Sequence, residues 1–190
     1  DIFSGPAATP AGLEEALAQL GTFDVTNHSW GYAPTFLATA ATQRHAALFE
    51  AALANGRGGL GTLAVKAAGN LAANANGEAI AASRATVIVG AYDDDGDVAP
   101  YANRGANLLV SAPSSGGRQA ILTTDLTGDR GLSAGDYATD FGGTSAASPL
   151  VAGVVALMLE ANPALGWRDI AAILAYSARE IGSGVAQVLH

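Results

Sequence analysis

Short runs of β-branched and aliphatic residues alternate with helical stretches along the whole chain, and this alternation is what most limits its fold. Phe23–Ser29, Leu60–Ala68, Thr86–Ala91 and Asn107–Ala112 read as strands. Before the first, Thr9-Pro10 is a helix start, Leu13, Ala16, Leu17 and Leu20 share a face, and Gly21 closes the helix. Thr39–Ala54 is alanine-rich and helical, and Asn55-Gly56 ends it. Ser145–Asn162 is a helix that stays apolar nearly all round until Glu160, which places it centrally, and Pro163 stops it. Trp167–Glu180 is a last amphipathic helix, and residues 113–140 are a polar surface excursion. Strands alternating with helices imply an α/β fold: a parallel sheet with helices on both faces.

Composition narrows the function. With 17 acidic against 9 basic residues and a net charge of −8, the chain has no surface for nucleic acid. Cysteine is absent, which removes disulfides, thiolate metal sites and cysteine nucleophiles. Apolar residues make up 49% of the chain, enough to fill a core, and Lys66 is the only lysine. The uncharged run Phe141–Leu159 nearly meets the length of a membrane span. Its glycines, Thr144, Ser145, Ser148 and Pro149 favour a buried helix with a polar start, so no membrane association is expected. Asp1–Gly5 lacks a charged leader ahead of an apolar stretch.

Three segments carry chemistry. Gly143-Thr144-Ser145-Ala146-Ala147-Ser148-Pro149 puts a serine at the start of the apolar helix, where free N–H groups favour negative charge. Taken alone, Ser145 also reads as an ordinary capping serine. Lys66-Ala67-Ala68-Gly69-Asn70 ends a strand in an asparagine at the carboxyl edge of the sheet, where α/β sites form. Its amide could donate to an oxyanion or simply sit in a turn. Val25–Gly31 ends in Ser29-Trp30-Gly31, which offers free backbone groups to a peptide, or closes a strand around a core tryptophan.

In this order the three segments resemble the subtilisin-like serine proteases, or subtilases, in their kexin-like branch. Tyr101–Pro113, Thr123-Thr124-Asp125, Leu159–Pro163 and Trp167-Arg168-Asp169 strengthen the likeness. The resemblance implies that Ser145 is the nucleophile and Asn70 the oxyanion-hole asparagine. It implies that Ser29, Trp30 and Gly31 form the substrate-binding strand, and that Ala67, Ala68 and Gly69 wall the primary specificity pocket. It further implies a secreted or extracellular endopeptidase acting on peptides or proteins. No cofactor is required, and a structural calcium ion would belong to the intact parent.

The sequence departs from the family in two ways. Subtilases carry their triad in chain order Asp, His, Ser, and no Asp-Thr/Ser-Gly or His-Gly-Thr is found here. His28 reads as an interior histidine, and His45 and His190 as surface residues. Residues 1–190 are therefore expected to be the C-terminal portion of a catalytic domain lacking its N-terminal strands, inactive alone and prone to homo-oligomerise. A non-catalytic peptide-binding or scaffold relative is the alternative. A nucleotide-binding domain is disfavoured by the absence of Gly-x-Gly-x-x-Gly and of a P-loop lysine. Second, kexin-like enzymes hold a basic side chain with acids where this chain has Tyr32-Ala33-Pro34-Thr35 and Asn76, so no strict demand for Arg or Lys before the scissile bond is expected. Asp93–Asp97 reads as a solvated turn, and Asp125, Asp129 and Asp136 as a weak metal candidate.

Overall fold

The computed structural model describes residues 9–32 and 36–181. Four parallel strands form the main sheet in the order β1 (Val25–His28), β2 (Leu63–Ala67), β3 (Thr86–Tyr92) and β4 (Leu108–Pro113). Each successive strand is added beside the previous one, so every connection is a crossover. Helices α1 (Pro10–Ala18) and α2 (Ala40–Asn55) cover one face, and α3 (Thr144–Ala161) and α4 (Trp167–Ser177) the other. The expected fold class, a subtilase-like parallel sheet with helices on both faces, is the one observed.

The period-2 alternation of the strands sorts the core. Leu63 and Val65 of β2, with Val87, Val89 and Ala91 of β3, face Val151, Val155 and Leu159 of α3 and Ile170 and Leu174 of α4. Ala64 points the other way, to Phe49, Ala52 and Leu53 of α2 and to Leu17 near the end of α1. Thr39 caps α2 reciprocally with Thr42, and Thr9 accepts the N–H of Gly12 at the head of α1. α3 touches all four strands, as its nearly uniform apolar character requires. It is long and apolar enough to cross a membrane, but it lies packed on the sheet.

Several boundaries move. β1 and β2 are shorter than the apolar runs, because the flanks of Phe23–Ser29 and Leu60–Ala68 leave the ladder for turns, whereas β3 extends one residue to Tyr92 and β4 shifts one residue to Leu108–Pro113. α1 ends at Ala18, and Leu20–Thr22 form a separate turn of 3₁₀-helix. The excursion 113–140 holds an antiparallel hairpin, β5 (Ile121–Thr124) with β6 (Tyr137–Phe141). Its alternation was hidden because the outward residues include Leu122 and Tyr137 as well as threonine.

His45 corrects an expectation: it is buried rather than on the surface. Its ring stacks on Tyr32, its Nδ1 is hydrogen-bonded to the Tyr32 hydroxyl, and Nε2 lies 3.5 Å from Glu14 on α1. α1 and Tyr32 close over a helix face whose alanines make it look like solvent-facing surface in one dimension. His190 and Ala33–Thr35 lie outside the described residues.

Candidate active site

β1 and β2 are parallel, with His28 opposite Lys66. The chain therefore leaves both strands at the same carboxyl edge, Ser29–Gly31 beside Ala67–Asn70. The head of α3 reaches that edge too. A loop with a left-handed glycine, Gly143 at φ 78°, turns the chain from β6 into the helix. A side chain there would be strained, and its Cβ would stand 2.8 Å from Asn70 Nδ2. Glycine thus lets the serine loop and the asparagine loop approach each other.

Thr144 fixes the amide of Asn70. Its N–H and its hydroxyl both donate to Asn70 Oδ1, each at 2.8 Å. The acceptor end of the amide is thereby defined by two donors, which leaves Nδ2 directed past Gly143. Among the described residues, Nδ2 has no acceptor. Thr144 Oγ1 also accepts the N–H of Gly69 at 3.0 Å. Ser145 follows, half-buried, in the first turn of α3, where its N–H has no intrahelical acceptor. A free amide donor and a free backbone N–H thus flank a serine at a positive helix end. That arrangement can stabilise negative charge developing on the oxygen of a carbonyl that the serine attacks.

Ser29 is tied to the same helix for a covalent reason. Pro149 has no N–H, so the carbonyl of Ser145, four residues back, loses its helical donor. The Ser29 hydroxyl replaces it, donating to Ser145 O at 3.0 Å. Asn27 extends the link: Nδ2 donates to Ser29 Oγ at 3.1 Å, and Oδ1 accepts from Ser148 Oγ at 2.7 Å. Behind this segment, Trp30 O accepts from Lys66 Nζ at 2.6 Å. Gly31 faces the same ammonium, with Glu78 beside it, and Lys66 Nζ to Glu78 Oε2 is 3.6 Å. Burial pulls the Lys66 ammonium below the ordinary lysine range, and Glu78 opposes that pull. Ala67 and Ala68 are buried, and Ala68 N donates to Val89 O.

All eight sequence-derived site residues lie at one sheet edge. Three others were missed as site residues: Thr144, Asn27 and Asn103. All three lie inside motifs, Asn27 in Val25–Gly31, Asn103 in Tyr101–Pro113 and Thr144 in Gly143–Pro149. Their roles depend on partners 74, 121 and up to 35 positions away, and no local pattern encodes such a pairing.

Neither described histidine bonds to Ser145. His28 Nε2 pairs with Thr26 Oγ1 at 3.0 Å, and His45 pairs with Tyr32. Several acidic residues of the two clusters are occupied locally. Asp93 Oδ1 accepts the N–H groups of Asp95 and Asp97, Arg118 pairs with Asp94 and Asp95, and Asp125 accepts from Ser133 N. Among the described residues no group of three or more Asp, Glu or His side chains converges on one point.

A family model for the Subtilase family matches residues 5–188, and the chain belongs to that family. Over 128 residues it is 39% identical to proprotein convertase subtilisin/kexin type 7 of Mus musculus, which covers 65% of this chain and 16% of that protein. Over 167 residues it is 40% identical to the dibasic-processing endoprotease of Schizosaccharomyces pombe, covering 83% of this chain and 22% of that protein. The chain thus spans less than a quarter of these relatives. The serine protease of Aeromonas sobria, solved with its chaperone, matches with a TM-score of 0.84 over 95% of this chain and 38% of that one, at 23% identity. At that identity the likeness speaks for the fold.

Proposed function

We propose that this chain is the C-terminal portion of a serine endopeptidase domain whose intact parent hydrolyses peptide bonds through an acyl-enzyme on Ser145. The observation that carries the reading is the Asn70 amide, locked by Thr144 with its donor end open beside the Ser145 helix start. In the reaction, Ser145 Oγ attacks the substrate carbonyl, and its proton passes to a base. Asn70 Nδ2 and the Ser145 N–H bind the resulting oxyanion. The base then returns the proton to the leaving amine, and water releases the acyl group from Ser145. Since neither described histidine bonds to Ser145, a segment outside these residues supplies the base. The chain alone is then inactive. Its family relatives support a secreted or extracellular setting for the parent.

A non-catalytic peptide-binding relative is the second reading, favoured by the same lack of a bonded histidine. A fluorophosphonate probe separates the two. The complete protein should be labelled at Ser145, and neither its Ser145→Ala variant nor residues 1–190 alone should react. An unlabelled complete protein whose peptide-binding surface is intact would establish the second reading. Ser145→Ala should leave folding unchanged, as judged by circular dichroism, while abolishing turnover.

Specificity follows from charge. The fission-yeast relative is by name a dibasic-processing enzyme, but here the acid next to Gly31 is Glu78, whose charge Lys66 already matches. A cationic substrate side chain gains little from a carboxylate that is already paired, and it meets the Lys66 charge as well. Asn76, standing where the family has an acid, is spent on the turn, donating to Asn74 Oδ1 and accepting from Asn107 N. A peptide panel varied before the scissile bond should show cleavage without a requirement for Arg or Lys. A strict basic requirement would overturn this reading of Glu78.

A further inference from the structure

We infer that Asn103 is a positioning residue that sets the Asn70 amide for the oxyanion. The inference rests on the protease reading above and goes beyond it.

Asn103 is almost completely buried, 4% exposed, and its side chain spends three polar contacts on the loop that carries Asn70. Nδ2 donates to Ala68 O at 3.0 Å, on the strand side of Asn70. Oδ1 accepts from Leu71 N at 3.0 Å and from Ala73 N at 2.9 Å, on the far side. Backbone bonds run parallel to these: Asn103 N donates to Gly69 O at 2.9 Å, and Ala72 N to Tyr101 O at 2.8 Å. One planar amide thus grips the chain both before and after Asn70. This geometry needs an amide, since a carboxylate lacks the donor and a hydroxyl is too short to span both sides. It also needs Gly69, which at φ 104° would place a Cβ 2.4 Å from Asn103 Nδ2.

Backbone bonds to Tyr101 and Arg104 hold the far side of the loop, but at its tip Asn103 supplies the side-chain contacts to Leu71 and Ala73. Leu71 and Ala72 are exposed, and Ala72 has a positive φ of 50°. Ala72 therefore sits in a backbone region costly for alanine and persists because its neighbours are over-determined. Thr144 orients the amide at its tip, but Asn103 decides where the backbone beneath it stands. Asn103 touches neither Ser145 nor the oxyanion position, so it acts through Asn70. Oxyanion stabilisation depends on donors held in place before charge develops, and a slackened loop should raise the barrier with little change in ground-state binding.

A double-mutant cycle in the complete protein tests this. Asn70→Ala should lower kcat roughly 100–1,000-fold with KM little changed, a magnitude taken over from subtilisin itself. Asn103→Ala should lower kcat on the order of 10- to 100-fold, again with KM within about twofold. In the Asn70→Ala background, Asn103→Ala should cost kcat less than about twofold more, because its route to the oxyanion is already gone. Amide exchange at Leu71 and Ala73 should accelerate in the Asn103 variant while the β2 and β3 amides stay protected. Should Asn103→Ala fail to fold, Asn103→Ser is judged by the same criteria. Losses that add in full, a change confined to KM, or unfolding of both variants would make Asn103 merely structural and overturn the inference. If Ser145→Ala retained turnover, the protease reading itself would fail instead.

Discussion

At the residue scale, His28 shows how burial converts a titratable group into a pH-dependent stability term. It lies at the end of β1, edge-on to Phe49 and Trp30. Burial first, and the Lys66 charge second, push its pKa down from the ordinary 6.5 to about 4. Between those values the unfolded chain binds the proton and the folded one does not. The contribution is therefore fully present above the unfolded value and is lost as pH falls toward the folded one. The whole shift is on the order of 3 kcal/mol. Urea midpoints should drop between about pH 6.5 and pH 4, and His28→Phe should flatten that part of the profile. An unchanged slope in the variant would assign the effect to other groups. Lys66 is a related case. A lone lysine in the centre of an apolar strand is legible in the sequence as an anomaly, but the pairing with Glu78 and Trp30 O that makes it tolerable is not.

At the element scale, the junction of β1 with α3 is set by one missing N–H. Pro149 stands in the second turn of α3, where it withholds a donor from Ser145 O, and Ser29 supplies one from another element. The consequence is a coupled pair. Ser29→Ala should leave that carbonyl without a donor and cost about 1 kcal/mol, with some loss of turnover as the head of α3 relaxes. Pro149→Ala restores a helical N–H, so the Ser29→Ala change should cost markedly less in a Pro149→Ala background. Chemical denaturation of the four proteins in the cycle measures this directly, and equal costs in both backgrounds would refute the exchange of donors. Element existence and order were readable for the four parallel strands and four helices because apolar or alanine-rich runs are separated by Gly, Asn, Thr and Pro that cap or stop them. The β5–β6 hairpin was not, because a peripheral two-stranded ribbon buries too little to impose a clear alternation on its sequence.

At the scale of the whole molecule, β1 is the edge strand of the main sheet among the described residues. Among the described residues it pairs on one side only, with β2, leaving a row of backbone donors and acceptors along the other. α3, packed on β1, turns a stripe of Leu150, Val154 and Leu157 outward, 44–66% exposed at four- and three-residue spacing. An open strand edge and an apolar helix stripe on one chain are templates for a second. Residues 1–190 should therefore self-associate, and light scattering at micromolar concentration should give a mass of at least a dimer. Raising salt should strengthen association by screening the net −8. A stable monomer under both conditions would rule the edge out as a contact.

The sequence by itself determined the class of fold and the order of its elements, and it singled out Ser145, Asn70 and the segments Ser29–Gly31 and Ala67–Gly69 as candidates. Those features are local: a hydrophobic period, a glycine before a helix, an asparagine after a strand. It also carried the family resemblance, because separate motifs recur in one order. Only the tertiary structure decided how the motifs act together. That Thr144 turns the Asn70 amide, that Ser29 replaces the donor lost at Pro149, that His45 is covered by Tyr32 and that Asn103 braces the Gly69–Asn70 loop all depend on contacts across the fold. A hydrogen bond depends on ångström-scale placement of both partners. The pattern of one strand or helix fixes its own face and ends, but where it lies against the next element is settled only when the shared core packs.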